Sequence, residues 1–222
     1  MTMNLFSIFD PSTLYFVNNW VSGVLWMIFI PLMFWVVGGR LSVVYMYVMS
    51  YMLKEFKPLL LKSSFSLLVI LSVFVFILVN NVLGLFPYVF CASSHMSFTL
   101  SLGAGIWVSL MIYSWGNNLS NQLIHLIPQG TSALLMPFMV LVETISNIIR
   151  PITLSIRLCA NMIAGHLLIT LLSMALMTST FITISLVATG MTALMVLEIA
   201  VAFIQAYVFG MLITLYTSEM SS

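Results

Sequence analysis

An all-α integral membrane protein is the fold class this sequence predicts, and two features of its 222 residues predict it. Charged residues make up 5% of the chain, where a soluble domain carries about 25%. Apolar residues make up 62% and fall in continuous runs, not in the alternating pattern of a β-barrel. The formal net charge of +1 gives no reason to expect nucleic acid as a partner. The opening MTMNLFSIFDPSTLYF has neither the basic start of a signal peptide nor the Arg-rich character of a transit peptide.

About five membrane-crossing helices and one surface helix are expected in a single membrane domain, 1–222. The first apolar span covers 17–37 and is closed by Gly38, Gly39 and Arg40. Residues 41–62 follow as a surface segment, because Lys54, Lys57 and Lys62 are interleaved with Tyr45, Tyr47 and Tyr51. The lysines suit an anchor for lipid headgroups or other subunits. A second span covers 65–90 and a third 96–115. Gly116 to Gly130 reads as a polar link, with His125 in it and His95 in the preceding loop. Long apolar elements then cover 131–177 and 182–217. There is no internal repeat.

Basic loops remain on the side from which a membrane protein inserts. Four of the six basic residues fall between the first two spans, which places the N-terminus outside and the C-terminus inside. The element at 131–177 is too long for a simple crossing: it makes ~69 Å of helix against ~30 Å of hydrocarbon. It must be steeply inclined, broken near Pro151, or shielded from lipid by another protein.

Those two last elements carry the chemistry. Glu143, Arg157, Asn161, His166, Glu198 and Gln205 are ionisable or amide residues set in apolar sequence. A charge at bilayer depth costs at least ~2.5–3.5 kcal/mol and persists where it faces a partner or an ion path. If the two elements form an antiparallel hairpin turning at Thr178, Ser179 and Thr180, residues of equal height have numbers summing to about 360. Glu143 then lies level with Glu219 near the inner surface, Arg157 with Gln205 at mid-depth, and His166 with Glu198 toward the outer surface. Arg157 and Asn161 share a helix face, as do Glu198 and Gln205. His166 is half a turn out of phase with Arg157 at ~100° per residue.

This arrangement suits two offset proton paths. Glu and His take up and release protons, whereas Arg keeps its own. A fixed cation between two paths blocks a direct leak and attracts a carboxylate presented by a moving partner. Each proton crossing ~100 mV would deliver ~2.3 kcal/mol to that motion.

The stretches PITLSIRLCANMIAGHLL (151–168) and LEIAVAFIQAYVFGMLITLY (197–216) resemble subunit a (subunit 6) of the mitochondrial ATP synthase Fo sector, and MNLFSIFDPS resembles its animal versions. The resemblance covers essentially the whole chain. It implies that Arg157 is the essential arginine facing the c-ring carboxylate, with Asn161 and Gln205 as polar neighbours. It implies that His166 and Glu198 line the intermembrane-space half-channel and Glu143 the matrix half-channel. Glu219 sits where the family often has an acidic residue. Arg150 replaces a glutamine of some members and receives no essential role. The implied fold is one N-terminal crossing, a surface helix, an amphipathic hairpin and a long tilted hairpin against the ring. The implied place is the mitochondrial inner membrane, with the c-ring, other Fo and peripheral-stalk subunits and lipid as partners. The implied role is that of a non-catalytic subunit.

Two other classes compete. A secondary ion or proton transporter would show related halves with interrupted helices. A haem- or quinone-binding subunit would need facing histidine pairs, and this chain has His95, His125 and His166 alone. No cofactor or metal is expected. Cys91 and Cys159 read as small apolar fillers. Asn80, Asn81, Asn117 and Asn118 read as capping or turn residues sooner than path residues.

Overall fold

The computed structural model describes residues 5–12, 19–30, 39–60, 64–86, 89–125, 127, 135–178 and 180–221. Its framework is helical. The amphipathic helix α1 is Arg40–Phe56 and continues into a 3-10 turn at Lys57–Leu59. Helices α2, Ser64–Gly84, α3, Met96–His125, α4, Met136–Thr178, and α5, Phe181–Ser221, follow. These four are long and apolar enough to cross a membrane. Of the expected first crossing at 17–37, the described part holds a 3-10 helix, Asn19–Val24, and a single α-helical turn, Trp26–Phe29; the remainder lies outside the described residues.

Two boundaries differ from expectation. The second span stops at Gly84 instead of 90, three residues before Pro87. The third runs through the supposed polar link to His125, which ends the helix and does not lie in a loop. No proline precedes Pro128 there, and Asn and Gln are tolerated in helix interiors.

In hydrocarbon a helix must satisfy its own backbone, and serine and threonine here bond back to it. Ser72, Ser101, Ser109 and Thr214 hydroxyls donate to the carbonyl three residues earlier, at 2.7–2.8 Å. Proline inside a helix removes an amide donor and crowds the preceding turn. Yet α4 passes through Pro151 unbroken, so of the three ways to accommodate its length, the break is ruled out. Pro151 is buried, and the Ser155 hydroxyl bonds its carbonyl at 3.0 Å and that of Ile152 at 2.9 Å.

Helix α3 closes on this point through Gly103. A Cβ there would lie 3.3 Å from the Pro151 carbonyl oxygen and 3.4 Å from the Ser155 Cβ. Small residues that let backbones approach are the usual device of membrane helix pairs. Gly103→Leu is therefore expected to cost ~1–3 kcal/mol by overpacking. Gly105→Leu, which meets no atom within 4 Å, is expected to cost little. Heat-induced unfolding of the purified chain in detergent checks the pair.

The core lies between α1, α2 and α5. Phe56 is fully buried at the end of α1, edge-on to Phe74 at 6.3 Å and stacked with Tyr207 at 6.4 Å. Gly210 makes the room: a Cβ there would meet the Phe56 ring at 3.2 Å and Phe74 at 3.7 Å. Helix α4 adds Leu154 and Leu158 to this core but is otherwise little covered. Only 17% of its most apolar window is buried within the chain, against 56% for α2.

Candidate functional site

The hairpin turns where the sequence places it: α4 ends at Thr178 and α5 starts at Phe181. Two contacts across it fix the register. A Cβ on Gly165 would lie 2.7 Å from the Glu198 Oε1. The Arg150 guanidinium carbon lies 5.0 Å above the Tyr216 ring centroid. These pairs sum to 363 and 366, a drift of ~4.5–9 Å in relative height from the expected 360. The three polar levels keep their order.

At the level of Glu198 three side-chain atoms are buried without a hydrogen-bond partner among the described residues. Both Glu198 oxygens and His166 Nε2 are buried without a hydrogen bond to any described residue. The His166 ring is set against the Gly84 backbone and meets the Phe9 ring edge-on at 6.2 Å. His166 and Glu198 therefore share a level without bonding each other. Buried polar atoms are bonded in the great majority of cases, and each exception calls for a cause.

Asn80 and Asn81 join them, contrary to the turn-and-cap reading. Both lie within α2, 6% and 0% exposed, and the Asn81 side chain bonds no described residue. Phe74 and Gly210 face each other across antiparallel α2 and α5, which levels Asn80 and Asn81 with residues near 204 and 203. That is between Glu198 and Gln205, both themselves 8% exposed. A buried polar strip thus runs down α5 and α2 from Glu198 toward Gln205.

Arg157 and Asn161 share a face, as expected, and it is an exposed one. Exposed Ile148, Ile149, Ile152 and Ile156 precede Arg157 on α4. Arg157 makes no ion pair or hydrogen bond with a described residue, Gln205 included.

At the level of Glu143, at the end of the hairpin away from its turn, Arg150 acquires neighbours the sequence reading did not give it. Its guanidinium pairs with Glu143, two turns earlier on α4, at 3.6 Å, while it stacks on Tyr216 of α5. The i, i+7 spacing of Glu143 and Arg150 was the signal available. Glu219 lies in α5, and its side chain is outside the described residues. Gly165 was also missed. Its signal was the hairpin register itself, since a Cβ at 165 would displace the Glu198 carboxyl from where it lies.

Both cysteines are buried free thiols, in keeping with the filler reading. Cys91 Sγ lies 3.3 Å from the Ser93 hydroxyl, and Cys159 donates to the Ser94 carbonyl at 2.9 Å. Burial pushes the Cys91 thiol above its ordinary range, which keeps it protonated. Among the described residues no three His, Cys, Asp or Glu side chains group to hold a metal ion.

The sequence profile of one family, described as ATP synthase A chain, matches residues 13–218. The chain is 51% identical over 226 residues to ATP synthase subunit a of Anopheles quadrimaculatus, with all of both chains covered. It is 48% identical to the protein of that name in Drosophila melanogaster, again over the whole of both. The Locusta migratoria protein of that name is 49% identical over 99% of each.

Proposed function

This chain belongs to the ATP synthase A chain family, and on that premise we propose that it is the stationary proton-conducting subunit of a rotary Fo motor in the mitochondrial inner membrane. Its partners are a c-ring whose carboxylates pass Arg157, together with other Fo and peripheral-stalk subunits. Its N-terminus faces the intermembrane space and its C-terminus the matrix. It conducts protons and makes no covalent bond itself.

The observation that carries this reading is the position of Arg157. A permanent cation sits on an exposed apolar helix face, with no counter-charge among the described residues. At bilayer depth such a group needs an opposite charge from outside the chain. A ring of helices presenting one carboxylate each supplies it repeatedly.

Protons enter from the outer side past His166 and Glu198 and descend the strip of Asn81, Asn80 and Gln205 to a ring carboxylate. The neutralised carboxylate moves away from Arg157 into lipid. After a turn it returns on the far side and releases its proton inward past Glu143 and Glu219. Approach to Arg157 favours the ionised carboxylate and so favours release. The guanidinium repels a proton moving straight through, so transport requires rotation.

His166→Ala is expected to slow proton uptake from the outer side several-fold, while ATP-driven pumping limited at the inner side changes less. Proteoliposomes holding the assembled complex, energised in each direction, measure this. Equal slowing in both directions would remove the two-path geometry.

A further inference from the structure

The chain has five carboxylates, and helix geometry sorts them by end. Glu143 lies 23 residues from His166 along α4, ~34 Å, and Glu219 lies 21 residues from Glu198 along α5, ~31 Å. Glu55 precedes Phe56, which packs on Gly210, 12 residues or ~18 Å inward of Glu198. Besides buried Glu198, Asp10 alone shares the His166 end. Phe9 meets the His166 ring edge-on, 6.2 Å between centroids at 83°. Asp10 is the next residue, and it is exposed. The Asn19 side-chain amide donates to the Asp10 carbonyl at 3.3 Å and ties the segment in place. Among the described residues, the neighbouring titratable side chains at this end have no comparable access to water. His95 is held between Trp20 and Phe90, 5.1 Å from each, with Nε2 buried, and the Cys91 thiol is buried.

We propose that Asp10 is the proton-collecting residue at the outer mouth of the path, handing protons to His166 while the Phe9 ring covers part of the imidazole. This rests on the outer-path reading of His166 given above. At neutral pH free protons are scarce, so a half-buried base is slow to find one unaided. An exposed carboxylate takes a proton from hydronium or from a buffer acid and passes it through water to the imidazole. It is then ionised again and ready for the next. Its charge also raises the proton concentration nearby by about twofold, the Boltzmann weight of one negative charge at ~10 Å in water.

The test uses the complete ATP synthase in proteoliposomes, with rates normalised to assembled complex and Asp10→Asn compared with Asp10→Glu. In weak buffer on the outer side, Asp10→Asn is expected to lower proton-driven ATP synthesis at least about twofold. Raising the concentration of a small zwitterionic buffer restores it, and Asp10→Glu matches the unaltered protein throughout. A variant rate equal to the unaltered rate in weak buffer overturns the proposal. So does a deficit that added buffer leaves unchanged, which is what a purely structural role gives. His166→Ala in the same assay separates the two readings. If it leaves uptake from this side intact, the outer path itself is wrong. If it slows uptake and Asp10→Asn does not, only the collector role fails.

Discussion

Arg157→Ala is expected to abolish ATP synthesis driven by a proton gradient, by roughly two decades or more, while the complex assembles at near-normal yield. The rate follows from charge. Without the guanidinium, a ring carboxylate passing that point stays ionised only at a cost of ~2.5–3.5 kcal/mol, close to two decades in rate. It therefore keeps its proton and carries it past the exit. The barrier between the two paths falls at the same time, so passive proton leak rises as synthesis disappears. Assembly survives because Arg157 makes no ion pair or hydrogen bond with a described residue. ATP synthesis and gradient decay in proteoliposomes, with native electrophoresis for assembly, give the three readouts. Arg157→Lys keeps a cation but loses the planar fork, and should retain the barrier better than the transfer rate. Normal coupled synthesis in the Ala variant would end the motor reading.

Gly165→Ala is the second large effect, from a much smaller change. The added methyl would lie 2.7 Å from Glu198 Oε1 and 2.9 Å from its carboxyl carbon. Those atoms end a flexible side chain, so the carboxyl can swing aside with no shift of helix backbone. Stability should change little. The proton path should suffer, because Glu198 leaves its level between Asn81 and His166, and an ångström of misplacement can cost about a hundredfold. The expected result is a folded, assembled complex with proton-driven synthesis reduced tenfold or more. A shift of the unfolding temperature comparable to that of Gly103→Leu, with the rate preserved, would count against a functional role for this contact.

Much of the architecture is legible in the sequence, because hydrocarbon leaves few alternatives. Long runs without charge have to be helices: α4 covers Met136–Thr178 and α5 Phe181–Ser221, where long elements over 131–177 and 182–217 are expected. The order of the polar levels was legible for the same reason, since an antiparallel hairpin converts numbering into height. What escaped depends on neighbours distant in sequence. Pro151 looks like a break until Gly103 and Ser155 are seen to accommodate it. Asn80 and Asn81 look like turn residues until α5 is packed against α2. Arg150 looks incidental until Tyr216 arrives beneath it. The meeting of Phe9 with His166 spans more than 150 residues and has no local signal at all.

Helix α4 keeps most of its apolar surface, together with Arg157 and Asn161, turned away from the rest of the chain. A newly made copy is thus a poor lodger in a bilayer by itself. On the proposed reading of Arg157, it stays there with a bare cation at its flank until the rotor arrives. Its supply has to be matched to that of the rotor, because every surplus molecule presents the same unfinished flank to quality-control proteases and to other surplus copies.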